Sequence, residues 1–149
     1  MRIEKLALLV ITIFLGFGSD AKADSEIYTT FLSRSAVGGY DTVAYFKAGK
    51  AIKGNSTYQA KYKGANWYFS SAENLAAFET DPQRYAPQYG GYCAWAVSQG
   101  YTAKGDPLHW KIYDNRLYLN FDESIKNLWL EKKDQFIEQA DSNWPGVLE

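Results

Sequence analysis

Cys93 is the only cysteine of the chain and His109 its only histidine. A thiolate and an imidazole are a donor pair suited to copper or zinc. The same pair is one form of activated nucleophile. Cys93 lies in Ala86-Pro87-Gln88-Tyr89-Gly90-Gly91-Tyr92-Cys93-Ala94-Trp95-Ala96, and a short helix is predicted over residues 90–98. The positive end of a helix dipole at such a start favours thiolate. The metal reading takes Cys93 and His109 as ligands, with Asp41 and Asp106 able to add oxygen. The wider ligand-binding reading places Tyr40, Asp41, Tyr89, Gly90, Gly91 and Tyr92 around the thiol. Gly90 and Gly91 would let a ligand approach backbone donors that favour anions. They serve equally for a tight entry turn.

Each residue has a plainer role. An unpaired cysteine is among the most buried residue types, so Cys93 reads equally as a small apolar side chain between Tyr92 and Trp95. His109 can bond a backbone carbonyl at a strand entrance, and Asp41 can cap a turn. A structural zinc site wants four protein ligands, mostly Cys and His, and this chain has one of each. No resolving cysteine exists for a disulfide cycle. No acid–base pair or nucleophile triad can be assembled, so catalysis is not the expectation.

The elements that must position these residues read as follows. Gly38-Gly39-Tyr40-Asp41 is a turn, and Val43 to Phe46 a short strand or extended segment. Thr57 to Tyr62 alternates with strand period, Lys63 to Asn66 turns, and Trp67-Tyr68-Phe69 returns as the partner. Ser70 with Glu73 three residues later predicts a helix start, with Leu75, Ala76 and Phe78 facing inward. Asp81-Pro82 ends that helix and opens a short turn carrying Tyr85. Trp110 to Tyr113 and Arg116 to Leu119 flank Asp114-Asn115 as a second hairpin, both turn residues tolerating positive φ. Asn120 or Asp122 caps a long helix to about Ala140, its inner face Ile125, Leu128, Trp129, Phe136 and Ile137. Trp144 packs onto the domain. The expected fold is α+β: one small antiparallel sheet from two β-hairpins, packed with short helices and a longer C-terminal helix.

The chain opens with Arg2 and Lys5, continues with an apolar run from Leu6 to Phe17, and reaches Ala21-Lys22-Ala23. That order is the pattern of a secretory signal peptide over residues 1–23. The run is short of the about 20 residues of a spanning helix, and an uncleaved anchor is the rival. The expectation is a periplasmic or secreted protein with no membrane span after cleavage near Ala23. Residues 24–36 read as a loose polar lead-in and 37–149 as one domain. Sixteen basic and seventeen acidic residues are intermixed, which argues against a nucleic-acid partner. Twelve Tyr, eight Phe and five Trp imply a core filled by large rings, or a stacking surface for a ligand.

Gly39-Tyr40-Asp41-Thr42-Val43-Ala44-Tyr45-Phe46, then Tyr62 to Ser71, then Phe78 and Asp81-Pro82-x-x-Tyr85, resemble a YHS domain. Pro87 to Ala94 and Leu117-Tyr118-Leu119-Asn120 are similar to an exported bacterial branch of that family. The resemblance implies a small module related to TRASH metal-binding domains, with metal binding as a candidate role. Relatives with a thiolate site carry Cys where Ala44 or its neighbours stand, Cys where Ser70 and Ser71 stand, and His or Cys near Asn74. Those thiolates are missing here.

Three readings follow. The first is an exported accessory module holding copper, zinc or a small ligand near Cys93. The second is a thiol-based redox enzyme or sensor using Cys93. The third is a structural domain whose aromatic surface meets another periplasmic protein.

Overall fold

The computed structural model describes residues 22–149; the expected signal peptide therefore lies almost wholly outside the described residues. The fold is α+β, with ten main elements in the order α1 (Thr42–Lys47), β1 (Asn55–Tyr62), β2 (Ala65–Phe69), α2 (Ala72–Thr80), α3 (Pro82–Tyr85), α4 (Ala94–Ser98), β3 (Asp106–Tyr113), β4 (Arg116–Asn120), α5 (Glu123–Glu131) and α6 (Lys133–Asn143). Both expected hairpins form. Each is a separate two-stranded antiparallel sheet, so the single sheet expected from the sequence is corrected to two. Their turns, Lys63-Gly64 and Asp114-Asn115, have positive φ at both central residues, the twist a tight hairpin needs.

Strand β4 joins the two halves. Alternate residues of a strand point to opposite faces. Leu117 and Leu119 enter a core with Val43, Trp67, Phe69 and Phe78, and Tyr118 enters a second core with Ala94, Val97, Trp129 and Ala140. Large rings do fill these cores: Trp67, Trp129, Tyr45 and Tyr118 are at most 1% exposed.

Three local readings are corrected. Residues 43–46 are helical, not extended, because Asp41 accepts from the backbone N–H groups of Val43 and Ala44 and so caps α1. Ser71, not Ser70, caps α2 through Asn74 N–H, and Ala76 is exposed. The long C-terminal helix breaks at Lys132, whose φ and ψ of −138° and 39° are not helical, giving α5 and α6. Asp122 caps α5 as one of the two candidates, while Leu128 of the expected inner face is 40% exposed.

The stretch read as a loose lead-in is tied to the domain. Ile27 is buried, Tyr28 N–H donates to Gly90 C=O at 2.9 Å, and Tyr92 O–H donates to Ser25 C=O at 2.8 Å. Gly90 permits this approach. It has a φ of +62°, and a Cβ there would sit 1.7 Å from Glu26 O. Only glycine fits both demands.

Candidate functional site

The residues singled out by the sequence separate into three places. Asp41 is fully buried and gathers five hydrogen bonds. Its Oδ1 accepts from Val43 N–H and Ala44 N–H at 2.9 and 3.1 Å. Its Oδ2 accepts from Ser70 N–H at 2.8 Å, Ser70 O–H at 2.6 Å and Asn74 Nδ2 at 2.7 Å. This carboxylate joins α1, the end of β2 and α2 without a cationic partner among the described residues, its charge balanced by oriented N–H and O–H dipoles. Tyr40 beside it is half-buried, with the Lys53 ammonium 5.5 Å from its ring centre.

Tyr89 and Tyr92 belong to the second core. Both rings lie against Trp144, at 6.0 and 6.2 Å between centres, so the expected packing of Trp144 is met. Tyr89 O–H donates to Asp141 Oδ1 at 2.8 Å, and burial raises its phenol above the ordinary tyrosine value. Tyr92 is pushed up to about 12, also by burial. Residues 90 and 91 form part of a 3-10 turn over Gln88–Gly91, not the first turn of a helix.

Cys93 is the N-cap residue of the five-residue helix α4, yet its side chain makes no capping bond. It is 1% exposed. Its Sγ donates to Asn120 Oδ1 at 3.6 Å, and the same oxygen accepts from Trp95 N–H at 3.2 Å. Asn120, from the end of β4, thus caps α4 from across the fold. Burial is the largest influence on the thiol and raises its pKa, against backbone hydrogen bonds that lower it. The expected shift toward thiolate is therefore reversed, since desolvation outweighs a helix of barely more than one turn. His109 is half-buried on β3.

These facts decide how well the chain suits a metal ion. The positions that the YHS resemblance marks for thiolates, beside Ala44, at Ser70 and at Asn74, do converge in space. They converge on Asp41, whose second oxygen is occupied by donors from Ser70 and Asn74. At Cys93 the thiol is sealed, and Asn120 Nδ2, buried without a partner, is a donor that cannot ligate a cation. Among the described residues no group of three or more His, Cys, Asp and Glu side chains is arranged to hold a metal. The described side chains do not fit a copper or zinc centre.

Open surface lies elsewhere. A groove of about 670 Å³ runs between α1, α3, β3 and the first turns of α5. Its apolar walls are Phe46, Tyr85, Trp110 and Ile112, all half-buried. Phe46 and Tyr85 meet edge to face at 5.5 Å, and Trp110 meets the buried Tyr45 at 5.0 Å. Tyr45 O–H is committed to Pro107 C=O at 2.8 Å. The polar rim carries Lys47, Arg84, Lys111 and Lys126. A second cleft of about 360 Å³ contains Tyr89 and Gly90 with Lys63, Glu26, Arg116 and Asp141. Tyr40, Asp41, Gly91, Tyr92, Cys93 and His109 line neither of these two.

A model of the YHS domain family matches residues 43–89. The chain contains a YHS domain. The matched stretch runs from α1, through the first hairpin, to the turn at Tyr89. The YHS domain therefore supplies Asp41's neighbours and one wall of the larger groove, Phe46, Arg84 and Tyr85. The second hairpin and α5 supply the other wall. The YHS family is often linked to metal binding. No curated protein and no solved structure matches the chain. The groove residues escaped sequence reasoning because they come from four separate segments. The one available signal was the surplus of aromatic residues, read as core or stacking surface; Phe46, Tyr85 and Trp110 pack half-buried at the groove.

Proposed function

We propose that this protein is an accessory binding module, exported from the cytoplasm, that takes a small organic ligand into the groove between Phe46, Tyr85 and Trp110. The observation that carries the reading is that groove itself. Three rings converge on about 670 Å³ of open space, a size typical of small-molecule sites, while the only thiol is sealed. Export rests on the basic start, apolar run and Ala-Lys-Ala order of residues 1–23. A metal role near Cys93 is less well supported, for the reasons of donor chemistry given above.

A second reading places the ligand in the cleft beside Tyr89 and Gly90. One observation favours it: Tyr89 holds φ at +56°, a left-handed conformation that bulky side chains rarely adopt and that often marks functional sites.

The test is a screen of small aromatic fragments against the isotope-labelled full chain by amide NMR. Binding that shifts Phe46, Tyr85, Lys111 and the Trp110 indole N–H, and is lost in Trp110→Ala, supports the first reading. Shifts confined to Tyr89, Gly90 and Arg116 transfer the function to the second cleft.

A further inference from the structure

We infer that the ligand of the Phe46–Trp110 groove is an organic anion built on a flat unsaturated ring, an aromatic carboxylate, sulfonate or phosphate. The inference rests on the groove being the ligand site and adds the class of ligand.

Lys47, Arg84, Lys111 and Lys126 stand around the groove, and no acidic side chain lines it among the described residues. The ion pair among those residues is Lys63–Glu26, away from the groove, so none of the four cations forms a salt bridge with a described residue. This asymmetry is local, because the chain as a whole has a net charge of −1. The smaller cleft shows the contrast: there Lys63 and Arg116 are matched by Glu26 and Asp141. Asp81 and Asp114 line an adjoining cleft that shares Arg84 and Asn115 with the groove, and Asp81 Oδ1 already accepts from Arg84 backbone N–H at 3.2 Å; Asp122 and Glu123 stand one turn before Lys126 at the start of α5, and Asp106 is near enough to Tyr45 to help raise its phenol.

Like charges gathered at a concave apolar surface focus a positive potential. The rings beneath supply stacking area, and one is already engaged: the Arg84 guanidinium lies 5.5 Å from the Tyr85 ring centre, a cation–π arrangement that holds the charge at the rim. Tyr45 O–H, bonded to Pro107, is not free to recognise a ligand. The neutral donors at the groove are Asn115, the Tyr85 hydroxyl and the Trp110 indole N–H, while every charged side chain that lines it is a cation. A neutral ring would use only half of the site, and a cationic ring would be repelled.

The experiment compares three near-isosteric probes on the full chain: 1-naphthoate, 1-naphthalenemethanol and 1-naphthylmethylammonium. Each is titrated at low and at high salt, with the Trp110 indole and the amides of Phe46, Lys47, Tyr85 and Lys111 as reporters. The anion is expected to bind at least about tenfold more tightly than the cation at low salt, with the difference shrinking as salt screens the rim. The paired change Lys111→Gln and Lys126→Gln is expected to weaken the anion by about fivefold or more and the neutral probe by less than about twofold. Equal affinity for anion and cation at the groove reporters would overturn the ligand class and leave the groove reading standing. Failure of all three probes to move those reporters would overturn both.

Discussion

Removing the Asp41 carboxylate tests whether this buried charge is an organiser of the fold. In Asp41→Ala five donors lose their acceptor. Two of them, Ser70 O–H and Asn74 Nδ2, belong to half-buried side chains that can turn toward water at small cost. Three are backbone N–H groups, of Val43, Ala44 and Ser70, and cannot move without moving α1 or the end of β2. A buried backbone donor left unsatisfied costs about 1–3 kcal/mol, and the loss of an N-cap alone about 1 kcal/mol. Water entering the vacated space recovers part of this. The expected loss is about 4 kcal/mol, a large fraction of the about 5–15 kcal/mol that holds a domain together. Asp41→Asn keeps one carbonyl oxygen for Val43 and Ala44 but turns an amide donor toward Ser70 and Asn74, for a loss of about 2–3 kcal/mol. Urea unfolding followed by tryptophan fluorescence measures both. A loss under about 1 kcal/mol in Asp41→Ala would show that the carboxylate does not organise the fold.

Two further outcomes follow from the same geometry. Cys93 is expected to resist alkylation in the native chain and react at an ordinary thiol rate once unfolded; rapid native modification would show the thiol to be open. Alkaline conditions are expected to unfold the protein. Tyr45, Tyr89 and Tyr92 are all raised by burial, Tyr92 to about 12. Above about 10, the ordinary tyrosine value, the unfolded chain therefore binds fewer protons than the native one. Stability is complete below that point and declines as pH rises through 12, a decline that Tyr92→Phe should make shallower in thermal melts taken across this range.

The hairpins were legible in the sequence because strand period and turn chemistry agreed: Asp114 and Asn115 adopt the positive φ that their types tolerate. Two local signals misled. Val43, Tyr45 and Phe46 favour extended chain, and the cap supplied by Asp41 overrode that preference. The break at Lys132 is invisible to periodicity, because apolar residues continue on both sides of it. The candidate site was less legible still. Spacing cannot show that Cys93 would meet Asn120, twenty-seven residues on, and be sealed. Nor can it show that Phe46, Tyr85, Trp110 and Lys126 share one groove. The Asp41 cluster is the exception, since the resemblance already marked Ser70 and Asn74.

Our proposal puts recognition in the groove that the YHS stretch shares with the second hairpin and α5, and not at the cysteine. The most direct measurement is the metal content of the full chain recovered from its own host, by native mass spectrometry beside Cys93→Ala. No stoichiometric copper or zinc is expected, and the metal content of the two proteins should be identical. One copper or zinc per chain, lost in Cys93→Ala while the fold persists, would contradict it.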